Sequence, residues 1–137
     1  MKVAVRYFSR SGNTKKLADA IAKSVKVASQ SIAEPFNQPV DMLFLGGSVH
    51  GFGIDSELKQ FIASLSSEKV KKVVVFSTTA VVKSAYPYIK KLLDDKGISV
   101  SDQEFHCRGK FSILHKDRPN DKDCMDAAIF AKKLIRA

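Results

Sequence analysis

Short apolar runs alternate along the chain with longer segments in which apolar residues recur every three or four positions. Residues 3–8 predict an opening strand, and the continuous apolar runs at 42–45 and 73–76 are typical of central strands buried on both faces. A weaker fifth strand is expected at residues 103–107, and a short edge strand near residues 27–32. The apolar pattern therefore predicts about five strands.

Four further segments have the spacing of amphipathic helices. Their apolar stripes run through Leu17, Ile21 and Val25; through Leu58, Phe61, Ile62 and Leu65; through Ala85, Ile89, Leu92 and Leu93; and through Cys124, Ala127, Ala128, Ala131, Leu134 and Ile135. The third helix is expected to begin at Ser84, because this start places Pro87 in the first turn, where its missing N–H costs little. Asn120 is expected to cap the last helix, with Asp121 and Asp123 in its first turn.

The alternation of strands with helices indicates the fold class. It is typical of a doubly wound α/β protein, in which helices cover both faces of a parallel sheet. We therefore predict one domain over residues 1–137, with a five-stranded parallel sheet and four helices. Ligands of such sheets bind beyond the carboxyl ends of the strands, where the strand order reverses. The loops at 9–14, 46–53 and 77–83 are the candidate sites.

The first of these loops, residues 9–14, connects a buried strand directly to the start of a helix. It contains three hydroxyl side chains, one glycine and several backbone N–H groups. Such a loop suits a phosphate, which the positive end of the helix dipole also favours. The alternative is that residues 11–14 only cap the helix, since Ser, Asn and Thr are common there.

The other two loops also follow buried strands. The second, residues 46–53, contains four glycines in eight residues, a density that permits close contact with a flat ligand. His50 and Phe52 in this loop are candidates for contact with an aromatic ring. In the third loop, Thr78 and Thr79 are candidate hydrogen-bond donors to the same ligand.

Composition and charge narrow the classes of partner. The chain has 137 residues, and 23 Lys and Arg against 14 Asp and Glu give a formal charge of +9. This excess favours anionic partners, but the basic residues are scattered in pairs that are typical of a solvated surface. No apolar run approaches the ~20 residues of a transmembrane helix, and Cys107 and Cys124 form no CxxC motif. We expect a cytoplasmic protein with no nucleic-acid or membrane partner.

The three loops together bring out a family resemblance. Residues 7–18, Tyr-Phe-Ser-Arg-Ser-Gly-Asn-Thr-Lys-Lys-Leu-Ala, resemble the phosphate-binding loop of the flavodoxin family, usually written Ser/Thr-x-Ser/Thr-Gly-x-Thr. Residues 41–47 are similar to the strand before the family's first flavin-ring loop. Residues 105–111 and 118–120 look like the end of short bacterial flavodoxin-like proteins. The resemblance implies the strand order 2-1-3-4-5 and a noncovalent FMN that carries single electrons.

The resemblance also implies which residues hold the FMN. It implies phosphate contacts from Ser9, Arg10, Ser11, Gly12, Asn13 and Thr14, and ring contacts from Ser48, Val49, His50, Gly51, Phe52, Thr78, Thr79 and Ala80. Electron carriers of this kind act on a redox partner protein. The positive charge of this chain favours an acidic partner.

Two departures from the family keep other functions open. The chain has no Trp, and its third loop has no aromatic residue at the place where flavodoxins stack one on the flavin. Electron-carrying flavodoxins are also typically acidic, whereas this chain is strongly basic. One alternative is a small FMN-dependent reductase that transfers electrons from NAD(P)H to a quinone-type acceptor. The other is an accessory module that retains the fold and binds flavin weakly or not at all.

Overall fold

The computed structural model of the chain describes residues 1–36, 38–50, 53–79, 83–109 and 117–136. Its strands are β1 (Val3–Tyr7), β2 (Ser29–Ser31), β3 (Val40–His50), β4 (Gly53–Ile54), β5 (Val70–Thr79) and β6 (Phe105–Arg108). Its helices are α1 (Asn13–Ser24), α2 (Ser56–Ser64), α3 (Tyr86–Asp95) and α4 (Asp121–Arg136). All four predicted helices and all five predicted strands are present.

The sheet has the strand order β2-β1-β3-β5-β6, and every one of these neighbouring pairs is parallel. When the parallel strands are numbered by themselves, this is the order 2-1-3-4-5, so the predicted fold class is confirmed. β4 is an addition that the sequence pattern does not predict. Its two residues pair antiparallel with the end of β3, and a segment this short has no recognisable period.

Each face of the sheet is covered by two helices. Successive residues of a strand point to opposite faces, so β3 and β5 contribute to two separate apolar clusters. α1 and α4 cover the cluster that contains Phe44, Val74 and Phe76, and α2 and α3 cover the cluster that contains Leu45 and Val75. These five side chains are fully buried, which explains why the central strands have continuous apolar sequences.

Two helix starts test the capping predictions. Asn120 Oδ1 accepts the N–H of Asp123, and Asp123 Oδ2 accepts the N–H of Asn120, each at 2.9 Å, so the predicted cap of α4 is confirmed. The start at Ser84 is two residues too early, because α3 begins at Tyr86. The Ser84 hydroxyl accepts the N–H of Tyr86 at 3.0 Å and so lies just outside the helix. Pro87 still falls in the first turn.

The length and apolarity of the helices show whether any of them could cross a membrane. In the part of the chain that the structure describes, none is long and apolar enough to span a bilayer.

Candidate functional site

The carboxyl ends of β1, β3, β5 and β6 meet at one edge of the sheet. Tyr7, the last residue of β1, is in register with Gly46 of β3, which is in register with Phe76 of β5. β3 and β5 extend further than β1 in the carboxyl direction. The register pair Ser48 and Thr78 therefore lies beyond the carboxyl end of β1. The carboxyl ends of these strands therefore lie together at the edge of the sheet where ligands bind in this fold class.

The first loop turns into α1 through Gly12. This residue has φ +90°, a left-handed conformation that favours glycine, and a Cβ built on it would meet nothing within 4 Å. The Ser9 hydroxyl accepts the Gly12 N–H at 2.9 Å, which holds the loop closed. The first-turn N–H groups of a helix have no partner inside it, and a glycine cap offers them no side chain. The loop thus leaves open space beside the start of α1.

The three hydroxyls of this loop have different environments. Ser11 is exposed, and Ser9 is partly buried and already bonded to Gly12. Thr14 is 1% exposed, and its Oγ1 lies 2.9 Å from Thr78 Oγ1 on β5. The Thr14 hydroxyl therefore joins α1 to the end of β5, in addition to any contact with a ligand.

Arg10 extends from the first loop toward the residue before α2. Its guanidinium lies 2.6 Å from Asp55 Oδ1, and the side chains are 61% and 3% exposed, respectively. The pair connects the first loop to the segment that follows the β3–β4 hairpin. The family resemblance predicts a contact between Arg10 and the cofactor phosphate. In this structure the Arg10 guanidinium forms an ion pair with Asp55.

The glycines at the end of β3 have a different role from the one predicted. A Cβ on Gly46 would overlap the ring of Phe76, and a Cβ on Gly47 would overlap the side chain of Leu58. Both neighbours are fully buried or nearly so. These two glycines are required by packing inside the protein, so the glycine density of the second loop is only partly a ligand signal.

Gly109 is a site residue that sequence reasoning missed. It follows β6, and its N–H donates to the carbonyl oxygen of Thr79 at 3.1 Å. A Cβ at this position would lie 3.0 Å from Asn13 Nδ2 and 3.1 Å from Thr78 Cβ. The end of β6 therefore approaches the start of α1 closely, and a lone glycine directly after a weak strand was the signal available.

Arg108 adds a positive charge at the same edge. Its guanidinium donates to Thr79 Oγ1 at 3.3 Å. Thr79 is 3% exposed, and its hydroxyl donates in turn to the carbonyl oxygen of Lys83 at 3.4 Å. Lys83 itself is exposed. Two basic residues, Arg108 and Lys83, are thus linked through the Thr79 hydroxyl.

Cys107 lies next to Thr78 in the β5–β6 register but is not a candidate nucleophile. Burial, assisted by nearby Asp123, raises the pKa of its thiol to about 12. The thiol therefore stays protonated at neutral pH, whereas nucleophilic cysteines are thiolates.

The structure brings most of the predicted site residues to this edge. Residues 9–14, Ser48, Thr78 and Thr79 lie there together. Val49 pairs with Ile54 and packs against the core on the α2 and α3 face, away from Thr14. Of His50 only the backbone, at the end of β3, is described. Gly51, Phe52 and Ala80 lie outside the described residues, so their predicted ring contacts stay predictions.

Comparison with known proteins places this geometry in a family. The sequence matches the model of a flavodoxin domain over residues 4–113, and no curated protein matches it. The structure is similar to a flavodoxin from the domain Archaea, with TM-score 0.80 and 21% identity over 99% of this chain and 97% of that one. Flavodoxin 2 from Bacillus cereus gives TM-score 0.72 and 18% identity over 99% of each chain. A flavoprotein from Lactobacillus acidophilus NCFM, solved in complex with FMN, gives 0.62 and 17% over 78% of this chain and 92% of that one.

The fold and the loops at its carboxyl edge define a flavodoxin-like α/β protein. Because the family model covers most of the chain, this protein belongs to the flavodoxin domain family. Membership of this family supports flavin binding.

Proposed function

We propose that this protein binds FMN noncovalently at the carboxyl edge of its sheet and carries electrons between redox partners. The observation that carries the proposal is the first loop. Gly12 has a left-handed backbone, nothing lies within 4 Å of the position of its missing side chain, and α1 begins directly after it. A phosphate placed there would accept hydrogen bonds from first-turn N–H groups and from the exposed Ser11 hydroxyl.

The residues present suit the rest of the cofactor as well. From the first loop, the flavin ring would extend toward β3 and β5, where Ser48 and Thr78 lie side by side. Gly109 lets the end of β6 pack closely against Asn13 and Thr78, which fixes these two residues beside the first loop. When bound, FMN supplies the one-electron chemistry, and the chain positions it and sets the charge around it. The FMN complex of the structurally similar Lactobacillus acidophilus flavoprotein supports this choice of flavin.

The identity of the cofactor is tested by purifying the protein and denaturing it. We expect a yellow protein that releases about one FMN per chain, and whose flavin is reduced and reoxidised without loss. A colourless protein that takes up no added FMN would contradict the proposal and favour the accessory-module alternative.

The partner is proposed to be an acidic protein that docks at this edge. Lys83 and Arg108 lie there in addition to Arg10, whose charge is paired with that of the buried Asp55. A positive surface attracts an acidic partner and speeds its association at low salt.

Oxidation of the reduced flavoprotein by small ions of opposite charge tests this surface. The rate with anionic ferricyanide should fall as salt is raised from about 10 mM to 300 mM, because salt screens attraction between exposed charges. The rate with cationic hexaammineruthenium should rise over the same series. Equal salt dependence for the two oxidants would show that the edge does not present net positive charge.

A further inference from the structure

A cleft of about 630 Å³ lies beside the first loop, between the end of β2 and α2. Its volume is in the range of small-molecule sites. β2 is on one side of β1 and β3 is on the other, so the cleft and the proposed flavin-ring site flank the first loop from opposite directions. The proposed flavin site therefore does not include this cleft.

The walls of the cleft are apolar and partly aromatic. Tyr7, Phe8, Ile32 and Phe61 are each half-buried, packing against a core cluster on one side and lining the cleft on the other. The Phe61 ring is held against Phe36 outside the cleft, with centroids 6.2 Å apart and planes at 41°. Fixed aromatic faces of this kind suit a flat ring system.

Polar groups are placed at two sides of the cleft. Ser9 and Lys15, which line it, belong to the first loop and the first turn of α1. The cleft is therefore continuous with the proposed phosphate site. Glu57 and Gln60, exposed on α2, also line it and offer hydrogen-bond acceptors and donors to a sugar.

The direction of the cleft indicates how its ligand is connected. FMN ends at its phosphate, and a flavin ring directed toward Ser48 and Thr78 lies on the opposite side of that phosphate from the cleft. A group that fills the cleft must be attached to the other side of the phosphate or belong to a second molecule. Adenosine is the flat group that redox dinucleotides carry in this position, linked through its 5′ carbon.

We propose that the cleft binds a 5′-phosphate-linked adenosine, with its base against Phe8 and Phe61 and its ribose at Glu57 and Gln60. The inference rests on the proposed flavin site. The adenosine belongs either to FAD, whose flavin half then occupies the proposed FMN site, or to a separate adenine dinucleotide. The carboxylate of Glu57 accepts a hydrogen bond from a 2′-hydroxyl and repels a 2′-phosphate, as acidic residues do in other dinucleotide sites.

A bulky side chain that fills the cleft provides the test. Ala33 lines the cleft and is exposed, so Ala33→Trp fills the space without disturbing the core. Ala63→Trp is the matched control, because Ala63 is exposed on α2 and outside the cleft lining. FMN and FAD are titrated into the flavin-free proteins by fluorescence quenching. ADP-ribose and its 2′-phosphorylated form are titrated by calorimetry into the unloaded and FMN-loaded proteins.

Either of two results supports the proposal. In the first, FAD binds at least about tenfold more tightly than FMN, and Ala33→Trp abolishes this advantage while Ala63→Trp preserves it. In the second, ADP-ribose binds the FMN-loaded protein without releasing FMN, loses that binding in Ala33→Trp, and binds at least about tenfold more tightly than its 2′-phosphorylated form.

Other results overturn it and separate it from the flavin proposal. Equal affinity for FMN and FAD together with no binding of ADP-ribose would exclude an adenosine site and leave FMN binding intact. Adenosine-dependent binding that survives Ala33→Trp would place the nucleotide elsewhere. If neither flavin binds, the flavin proposal fails. Binding of ADP-ribose to the unloaded protein then tests the adenosine site by itself.

Discussion

Gly12 and the pair Gly46 and Gly47 lie at the same edge of the sheet for different physical reasons. Gly12 has a left-handed backbone, and its missing side chain would point into open space. Gly46 and Gly47 are in a strand without positive φ, and the space of their side chains is filled by Phe76 and Leu58. The first region is set by backbone conformation and leaves space open to a ligand, and the second is set by the packing of the protein's own core.

This difference shows how a glycine-rich loop should be interpreted. Glycine is favoured where φ is positive and where two groups approach closely, and the sequence does not distinguish these cases. At the end of β3 the close approach is between the strand and a core side chain. At Gly12 the positive φ by itself favours glycine, as it does at Gly97, and the open space beside it leaves room for the proposed phosphate.

Gly46→Ala should give the largest loss of stability. The new methyl group would overlap the buried Phe76 ring, and overpacking of a core costs about 1–3 kcal/mol. We expect a loss of about 3 kcal/mol in the free energy of unfolding, measured by urea denaturation. Adding Phe76→Leu to this variant should recover part of the loss. If the double variant is as unstable as the sum of the single ones, the two positions do not compete for space.

Thr14→Val should have an intermediate effect and tests whether the first loop also contributes to packing. It removes a hydroxyl at 2.9 Å from that of Thr78, which is 2% exposed and would lose this partner. An unsatisfied buried hydroxyl costs about 1–3 kcal/mol. Because replacing both partners removes the unsatisfied group, Thr14→Val with Thr78→Val should be more stable than Thr14→Val alone. A double variant that is less stable would show that the two hydroxyls are not bonded to each other.

Gly12→Ala should give the smallest loss of stability of the three variants and the largest loss of FMN affinity. An L residue in the left-handed region loses roughly 1–2 kcal/mol, and Gly97→Ala provides a matched control. Gly97 has φ +71°, and a Cβ there would also meet nothing within 4 Å, but it follows α3 far from the site. Both variants should lose similar stability in urea, and only Gly12→Ala should lower the affinity for FMN. If Gly97→Ala loses as much FMN affinity as Gly12→Ala, the loss comes from reduced stability and not from a phosphate contact at Gly12.

The sequence predicts the layered fold better than it predicts the site. Strong apolar periods define the helices and the central strands, and Asn120 with Asp123 marks the start of α4 by capping chemistry alone. The contacts at the carboxyl edge are tertiary and have no period. The bond between Thr14 and Thr78 joins residues 64 positions apart, and Arg10 reaches Asp55 across two loops. The proximity of Gly109 to Asn13 likewise depends on the strand order.

The central claim is that the first loop binds the phosphate of a flavin, and a comparison of FMN with riboflavin tests it most directly. The two ligands share the ring and differ in the phosphate. Since hydrogen bonds to a charged group contribute about 1.5–3 kcal/mol each, one such bond makes FMN about tenfold to hundredfold tighter. We therefore predict that fluorescence titration of the unmodified protein gives a Kd for FMN at least about tenfold below that for riboflavin. Equal dissociation constants for the two ligands would contradict the assignment of the first loop.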